Sequence, residues 1–400
     1  MSDFARTARR LADYVVLAHD PAVKSQAVDF WETSTPYYQS VVEEILKGAS
    51  PAVRERLEVL AQEPASISAY WAFVEAITVD ERLSQAVHAA DQRILIDHRL
   101  GSAYREDSAV EVSYQELSKL PAPRSGPVQE AASAQIVIPF GDDASGGRVR
   151  NLLACLHALR DQSAPRRDYT VAVVEASAAP LWQPLIEPVT DVYLFARKPG
   201  AFNKSWAVNV GVANSPHRHR FQCVLDSDIL VDRDFVRRNT DRLAHGDHVA
   251  HLPFQWAFNL SEQASSWAIK HRVIDGSANV PVEALRGFLK RGSPGGCLWV
   301  TDDAFRQVAG FDERFEGWGG EDDDVDARLA AVGTFCRYDD PLLHLHHPRP
   351  QMTDGRGNLL NAHIEQASWP ADSPYGDIHR YDAAADPVGA DNSVRGVTAS

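Results

Sequence analysis

The sequence predicts an α/β protein in which a helical N-terminal region precedes a mostly parallel sheet. Three observations predict it. From residue 135 onward, short apolar runs rich in β-branched residues alternate with amphipathic stretches, the pattern of strands joined by crossover helices. Before that, residues 1 to about 120 carry apolar residues at three- and four-residue spacing with few turn signals. Finally, 400 residues exceed the usual size of a single core, so two domains are expected.

Taken in order, Val41–Lys47 and Ala52–Gln62 read as helices, the second opened by Ser50 as N-cap and Pro51 at the first helical position. Residues 1–125 are therefore expected to be a helical domain that positions an acceptor or oligomerises. Pro121–Ser133 is rich in Pro, Ala, Ser and Gly and suits a linker. Gln135–Phe140 reads as a buried parallel strand, Gly141–Gly147 as a loop and Asn151–Arg160 as an amphipathic helix. Tyr169–Glu175, Val192–Phe195 and Phe221–Leu225 read as further strands. Ligands of such sheets gather at the carboxyl ends of strands, which singles out Glu175, Asp226 and Asp228. The catalytic core is expected over 134–350. The polar, Gly- and Asp-rich stretch 351–400 is expected to be a lid and tail.

Composition narrows the function. Hydrophobic residues are 44% and charged residues 24%, as in soluble globular proteins, and the net charge is −15. The acidic balance excludes a global basic field for nucleic acid. An anionic substrate would then need a local cation such as a metal. Cys155, Cys223, Cys297 and Cys336 form no CxxC pair and read as small buried hydrophobes. No apolar run reaches the length of a membrane span, and the first twenty residues hold no signal-peptide core. A cytoplasmic protein is expected.

Three constellations carry chemistry. In Val224-Leu-Asp226-Ser-Asp228, two aspartates flank a small residue just after a strand. Extended backbone would point both carboxylates the same way, and a hard divalent ion bridging to diphosphate oxygens would relieve their repulsion. In Gly317-Trp318-Gly-Gly-Glu321-Asp322-Asp323-Asp324, the acids suit a helix N-terminus. The tryptophan between glycines suits a sugar-stacking face, and a carboxylate beside it can take a hydroxyl proton. In His344-Leu-His346-His347-Pro-Arg349, three histidines end an apolar run, which favours ligation of a borderline ion such as Mn²⁺.

These segments, with Phe202-Asn-Lys204-Ser-Trp-Ala-Val-Asn209-Val-Gly211 and Gly295-Gly296…Gly310-Phe311-Asp312, resemble those of β-1,4-galactosyltransferases in order and spacing. Less closely, the chain is similar to polypeptide N-acetylgalactosaminyltransferases and family 2 glycosyltransferases. The resemblance covers about residues 135–350. It implies a GT-A fold, a nucleotide-binding α/β sheet with an acceptor-binding second half, and transfer of a hexose or N-acetylhexosamine from a UDP-sugar. It implies Pro139, Phe140, Phe202, Lys204, Asp226, Gly296, Trp318 and Arg349 on the donor, in addition to the strand-end Glu175. It implies a metal triad of Asp228, His344 and His347, with His346 as the alternative imidazole, holding Mn²⁺ or Mg²⁺. It implies Glu321 and Asp322 on the acceptor, with Asp322 as base, and so an inverting reaction.

Two positions depart from the family's pattern. An arginine usually follows Pro-Phe, where this chain has Gly141, which passes the phosphate or uracil contacts to Arg148 or another residue. Ser293-Pro294 replaces a bulky aromatic before the Gly-Gly pair, leaving room for an N-acetylated donor. Two rival functions are a sugar-phosphate nucleotidyltransferase, opposed by the acidic loop 141–147, and a non-catalytic sugar-binding scaffold, opposed by the joint presence of all three constellations. The acceptor, whether saccharide, natural product or peptide, is not written in residues 1–125. The membrane anchor usual in the family is not expected here, which favours a soluble acceptor or a peripheral arrangement and fits a bacterial source.

Overall fold

A computed structural model describes residues 3–26, 30–79, 83, 92–99, 110–121, 132–142, 145–348 and 351–383. Most of the expected linker (122–131), Arg349, Pro350 and the tail from 384 lie outside the described residues. The strands in chain order are β1 (Ile96–Arg99), β2 (Ala134–Phe140), β3 (Tyr169–Ser177), β4 (Val192–Arg197), β5 (Phe221–Leu225), β6 (Ile229–Leu230), β7 (Ala250–Leu252), β8 (Trp256–Leu260), β9 (Gly287–Arg291), β10 (Cys297–Thr301), β11 (Phe335–Arg337) and β12 (Leu342–His344). The chain divides into two compact units.

The first unit comprises Met1–Val110, Gln255–Ala268 and Pro281–Ser293. Its helices include Asp3–His19, Trp31–Gly48, Pro51–Gln62 and Ile67–Thr78. Ser50 caps the third as its sequence predicts, its side chain accepting from Val53 N–H at 3.4 Å. Leu11, Tyr38, Ile45, Leu60 and Phe73 are among the side chains that form the apolar core. Strands β8 and β9 pair antiparallel, and β9 pairs antiparallel with β1.

The second unit comprises Glu111–Phe254, Ile269–Val280 and Pro294–Ser400. It is built on a seven-stranded sheet in the order β11-β7-β10-β5-β2-β3-β4. Strands β5, β2, β3 and β4 run parallel, as their apolar runs predict. β2 is buried at every position, the signature of a strand covered on both faces. β10 enters antiparallel between β5 and β7, so the sheet is mixed. The helix Lys204–Ala213 packs closely on it: a Cβ added at Gly211 would come within 2.4 Å of Val137 Cγ1, which only glycine avoids. Among the described residues, no helix is long and apolar enough to cross a membrane. The four cysteines carry free thiols; Cys155, Cys223 and Cys297 are buried, and Cys336 is half-buried.

Candidate functional site

The chemistry gathers where β5 ends. Instead of continuing extended, the chain turns at Asp226-Ser227-Asp228, closed by Ile229 N–H donating to Asp226 C=O at 3.2 Å. Asp226 N–H also donates to Gly296 C=O at 3.0 Å. The two aspartates consequently meet different partners, which corrects the expectation that extended backbone would aim them together. Asp226 meets Lys204, and Asp228 meets two histidines.

Lys204 opens a helix whose N-cap is Asn203, its side chain accepting from Trp206 N–H at 2.8 Å. Lys204 Nζ lies 3.0 Å from Asp226 Oδ1, 2.9 and 3.0 Å from the two Asp322 oxygens, and 3.9 Å from Glu321 Oε1. Burial opposes the lysine's charge, but the three carboxylates outweigh it and hold the ammonium well above its usual pKa. Burial pushes Asp322 up to about 8, with Glu321 and Asp226 adding to the rise against the pull of Lys204. A carboxylate raised to that range is suited to general-base work near neutral pH. Lys204, Asp226 and Asp322 line a concavity with Pro294, Gly296, Cys297, Val325 and Asp326. Asp326, one turn after Asp322, is raised by burial to about 7.

The Gly295-Gly296 pair has a physical reason. A Cβ on Gly295 would sit 2.1 Å from Asp322 Oδ2, so the glycine leaves the space that the carboxylate fills. Gly296 adopts φ 113°, a conformation that other residues rarely take.

On the other side of the turn, Asp228 Oδ2 lies 3.1 Å from His347 Nε2, and Asp228 Oδ1 lies 3.5 Å from His344 Nε2. One ligand atom from each of the three residues falls within 4.8 Å of the others. The short antiparallel pair β6–β12, with His344 opposite Ile229, brings the histidines there. Burial would raise Asp228, but His344, His347 and Arg148 hold its carboxyl well below the usual range. Burial likewise opposes charge on His347, and Asp228 overrides it to raise that pKa.

Two features fit these residues to a divalent ion. Asp228 Oδ1 is buried without a hydrogen bond, which is costly for a carboxylate unless something else binds it. His347 Nδ1 lies 2.8 Å from the Pro348 carbonyl. That oxygen can only accept, so Nδ1 carries the proton and Nε2 is the nitrogen turned to Asp228, the usual arrangement of a ligating histidine. His346 is not in this group; its carbonyl accepts from Asn151 Nδ2 at 3.0 Å.

Trp318 is 38% exposed on a loop whose three glycines, Gly317, Gly319 and Gly320, all have positive φ. The loop is tied at both ends: Gly317 N–H donates to Phe202 C=O at 2.7 Å, and Asn361 Nδ2 donates to Gly319 C=O at 2.9 Å. Helix Glu321–Val332 follows, with four acids in its first turn. Asp324 is structural, paired with Arg328 Nη2 at 2.7 Å and accepting from Ala367 N–H at 2.7 Å.

Pro139 and Phe140 are buried at the end of β2. Phe202 covers Gly141, where an added Cβ would lie 2.8 Å from its ring. The chain thus has no space for a side chain where the resembling family has arginine. Glu175 accepts from Trp182 N–H at 3.2 Å and from Tyr193 Oη–H at 2.7 Å, which occupies both its oxygens. Arg349 lies outside the described residues.

Sequence reasoning gave no role to three residues that build the frame. Asn209, fully buried, donates to Phe311 C=O at 2.8 Å and to Glu313 Oε1 at 3.0 Å, and accepts from Phe311 N–H at 2.9 Å. Asn203 Nδ2 donates to Glu313 C=O at 2.9 Å. Glu313 in turn accepts from Gly376 N–H at 2.7 Å and pairs with Arg380. Asp326 was also unread, because an acid in the second turn of a helix has no local signal of burial.

A family model described as the N-terminal domain of galactosyltransferase matches residues 290–348. That span contains Gly295, Gly296, Trp318, Glu321, Asp322, His344 and His347, and the chain resembles GT-A glycosyltransferases. No curated protein sequence matches it. Among solved structures it is similar to a mannosyltransferase, PcManGT, from Pyrobaculum calidifontis in complex with GDP-Man and Mn²⁺, with 15% identity, 59% of this chain and 63% of that one covered, and a TM-score of 0.37. It is similar to Drosophila β1,4-galactosyltransferase 7 in complex with xylobiose, with 15% identity, 56% and 76% covered, and a TM-score of 0.35. It is also similar to S. aureus TarS residues 1–349, with 11% identity, 53% and 60% covered, and a TM-score of 0.38. The chain spans less than two thirds of the first and third of these.

Proposed function

We propose that this protein is a metal-dependent glycosyltransferase that moves a hexose or N-acetylhexosamine from a UDP-sugar to a hydroxyl acceptor with inversion. The observation that carries the reading is the division of labour across one turn. Asp228 faces His344 and His347, while two residues earlier Asp226 faces Lys204 and Asp322. A site for a cation and a site for a base thus adjoin at the end of a parallel strand, where α/β sheets bind ligands.

Asp228, His344 and His347 would hold Mn²⁺, with Mg²⁺ as the alternative. When bound, the ion offsets diphosphate charge and serves as a Lewis acid for the departing UDP. Lys204 supplies a fixed ammonium to the anionic donor, and the half-buried Phe202 supplies apolar surface for its base. Trp318 offers an exposed ring on which a sugar can stack, and Glu321 holds the acceptor. Asp322, its pKa raised to about 8, takes the proton of the acceptor hydroxyl. That oxygen forms the new bond to the anomeric carbon as the bond to the diphosphate breaks, and the electron pair leaves with UDP. Attack opposite the leaving group inverts the anomeric centre.

Pro294 lines the concavity where the resembling family has a bulky aromatic nearby, which supports room for an N-acetyl group. A donor panel of UDP-galactose, UDP-glucose and their N-acetylated counterparts tests the reading, with the anomeric configuration of the product followed by NMR. Inverted product from at least one donor is expected. A retained configuration would remove Asp322 from the role of base.

A further inference from the structure

Between the two histidines of the triad the backbone is held by a pair of side chains from another element. We propose that Asn151 and Arg150, in the helix Gly147–Arg160, are positioning residues that set the metal affinity of the triad by clamping the carbonyl of His346. The proposal rests on the metal reading above.

Asn151 is fully buried, and its Nδ2 donates to His346 C=O at 3.0 Å. Arg150 Nη2 donates to the same oxygen at 3.3 Å. The two clamp residues are joined to each other, because Asn151 Oδ1 accepts from Arg150 Nε at 3.1 Å and from Nη2 at 3.0 Å. With Oδ1 taken by a guanidinium, the amide can turn only its NH₂ group to His346, so its orientation is determined. One residue earlier, Leu345 N–H donates to Asp228 C=O at 2.8 Å.

The segment that carries both imidazoles is therefore pinned at two successive residues. At Leu345 it is tied to the backbone of the third ligand, and at His346 to the clamp. The carbonyl of His346 belongs to the peptide plane that leads into His347. Its orientation sets the direction in which the His347 side chain leaves the backbone, and so where Nε2 lies relative to Asp228. Neither Asn151 nor Arg150 is in the ligand set. Groups that orient ligands from behind in this way commonly change metal affinity by about 10- to 100-fold.

The test is Mn²⁺ binding to the purified chain, read from the free-ion EPR signal and independent of turnover. Asn151→Ala, Arg150→Ala and Asp228→Ala are compared with the wild type, with near-UV circular dichroism reporting the folded fraction. The account expects Asn151→Ala to bind Mn²⁺ at least about tenfold more weakly, Arg150→Ala to be weakened less, and Asp228→Ala to lose binding. Arg150 is only half-buried, so its variant carries the test if Asn151→Ala does not fold. Wild-type affinity in both clamp variants, with binding lost in Asp228→Ala, overturns the clamp and leaves the metal reading standing. Absence of Mn²⁺ binding in the wild type overturns the metal reading and the clamp together.

Discussion

Lys204 Nζ contacts both oxygens of Asp322, at 2.9 and 3.0 Å, so the group assigned as base is held by an ammonium before any substrate arrives. The same ammonium reaches Asp226 at 3.0 Å. One cation therefore neutralises part of a cluster of three carboxylates, and the donor's phosphates would compete with those carboxylates for it.

The pH dependence follows from this arrangement. Asp322 works as a base only in its ionised form, and burial has pushed its pKa up to about 8. Below that pH the carboxyl is mostly protonated and cannot accept the acceptor's proton. The account predicts that kcat/KM rises with pH toward about 8 and levels off above it. Asp322→Asn should lower kcat by about 10²- to 10⁴-fold while UDP affinity stays close to wild type.

Removing Lys204 should act on the same limb. Lys204→Met leaves Asp226, Glu321 and Asp322 without their shared cation, which favours protonation of one of them. The rising limb of the kcat/KM profile is predicted to move to higher pH, and donor KM to increase. An unmoved limb in a steady-state pH series would show that Lys204 does not govern Asp322.

Gly295 should tolerate no side chain. Gly295→Ala places a Cβ 2.1 Å from Asp322 Oδ2, so either the carboxylate or the loop that leads into β10 must move. Because a misplacement on that scale can cost about 100-fold in rate, a large loss of turnover with a modest change in Tm is expected. Equal rates in wild type and variant would mean that Asp322 is free to relocate.

The frame behind the site should show in stability instead. Asn209→Ala removes three hydrogen bonds to Phe311 and Glu313 in a fully buried place. Leaving such groups unpaired costs about 1–3 kcal/mol each when none relaxes. A loss of about 2 kcal/mol or more in urea unfolding is predicted.

What could be read in advance depended on range. The apolar runs at 135–140, 169–175 and 221–225 announced parallel strands because burial on both faces is written in consecutive residues. Ser50-Pro51 announced a helix start for a similarly local reason. β10 was unread because its place between β5 and β7 depends on pairing over long sequence distances. The same holds at the site. The residue types of Asp228, His344 and His347 suggested a cation, but the turn at Ser227 that parts Asp226 from Asp228 has no distinct signature. Asn203 and Asn209 lie inside the quoted motif, yet their partners are about a hundred residues away, as Asn209 and Phe311 illustrate (|i−j| = 102). Glu175 ended a strand as expected, but only the folded chain reveals that Tyr193 and Trp182 take its oxygens.

The central claim is that the turn after β5 joins a cation site to a donor site. Its most direct measurement is UDP release from a UDP-sugar in the absence of any acceptor, with and without Mn²⁺, in wild type and in Asp228→Ala. The account predicts slow release that requires Mn²⁺ and is lost in the variant. Release at the same rate without Mn²⁺, or undiminished in Asp228→Ala, would contradict it.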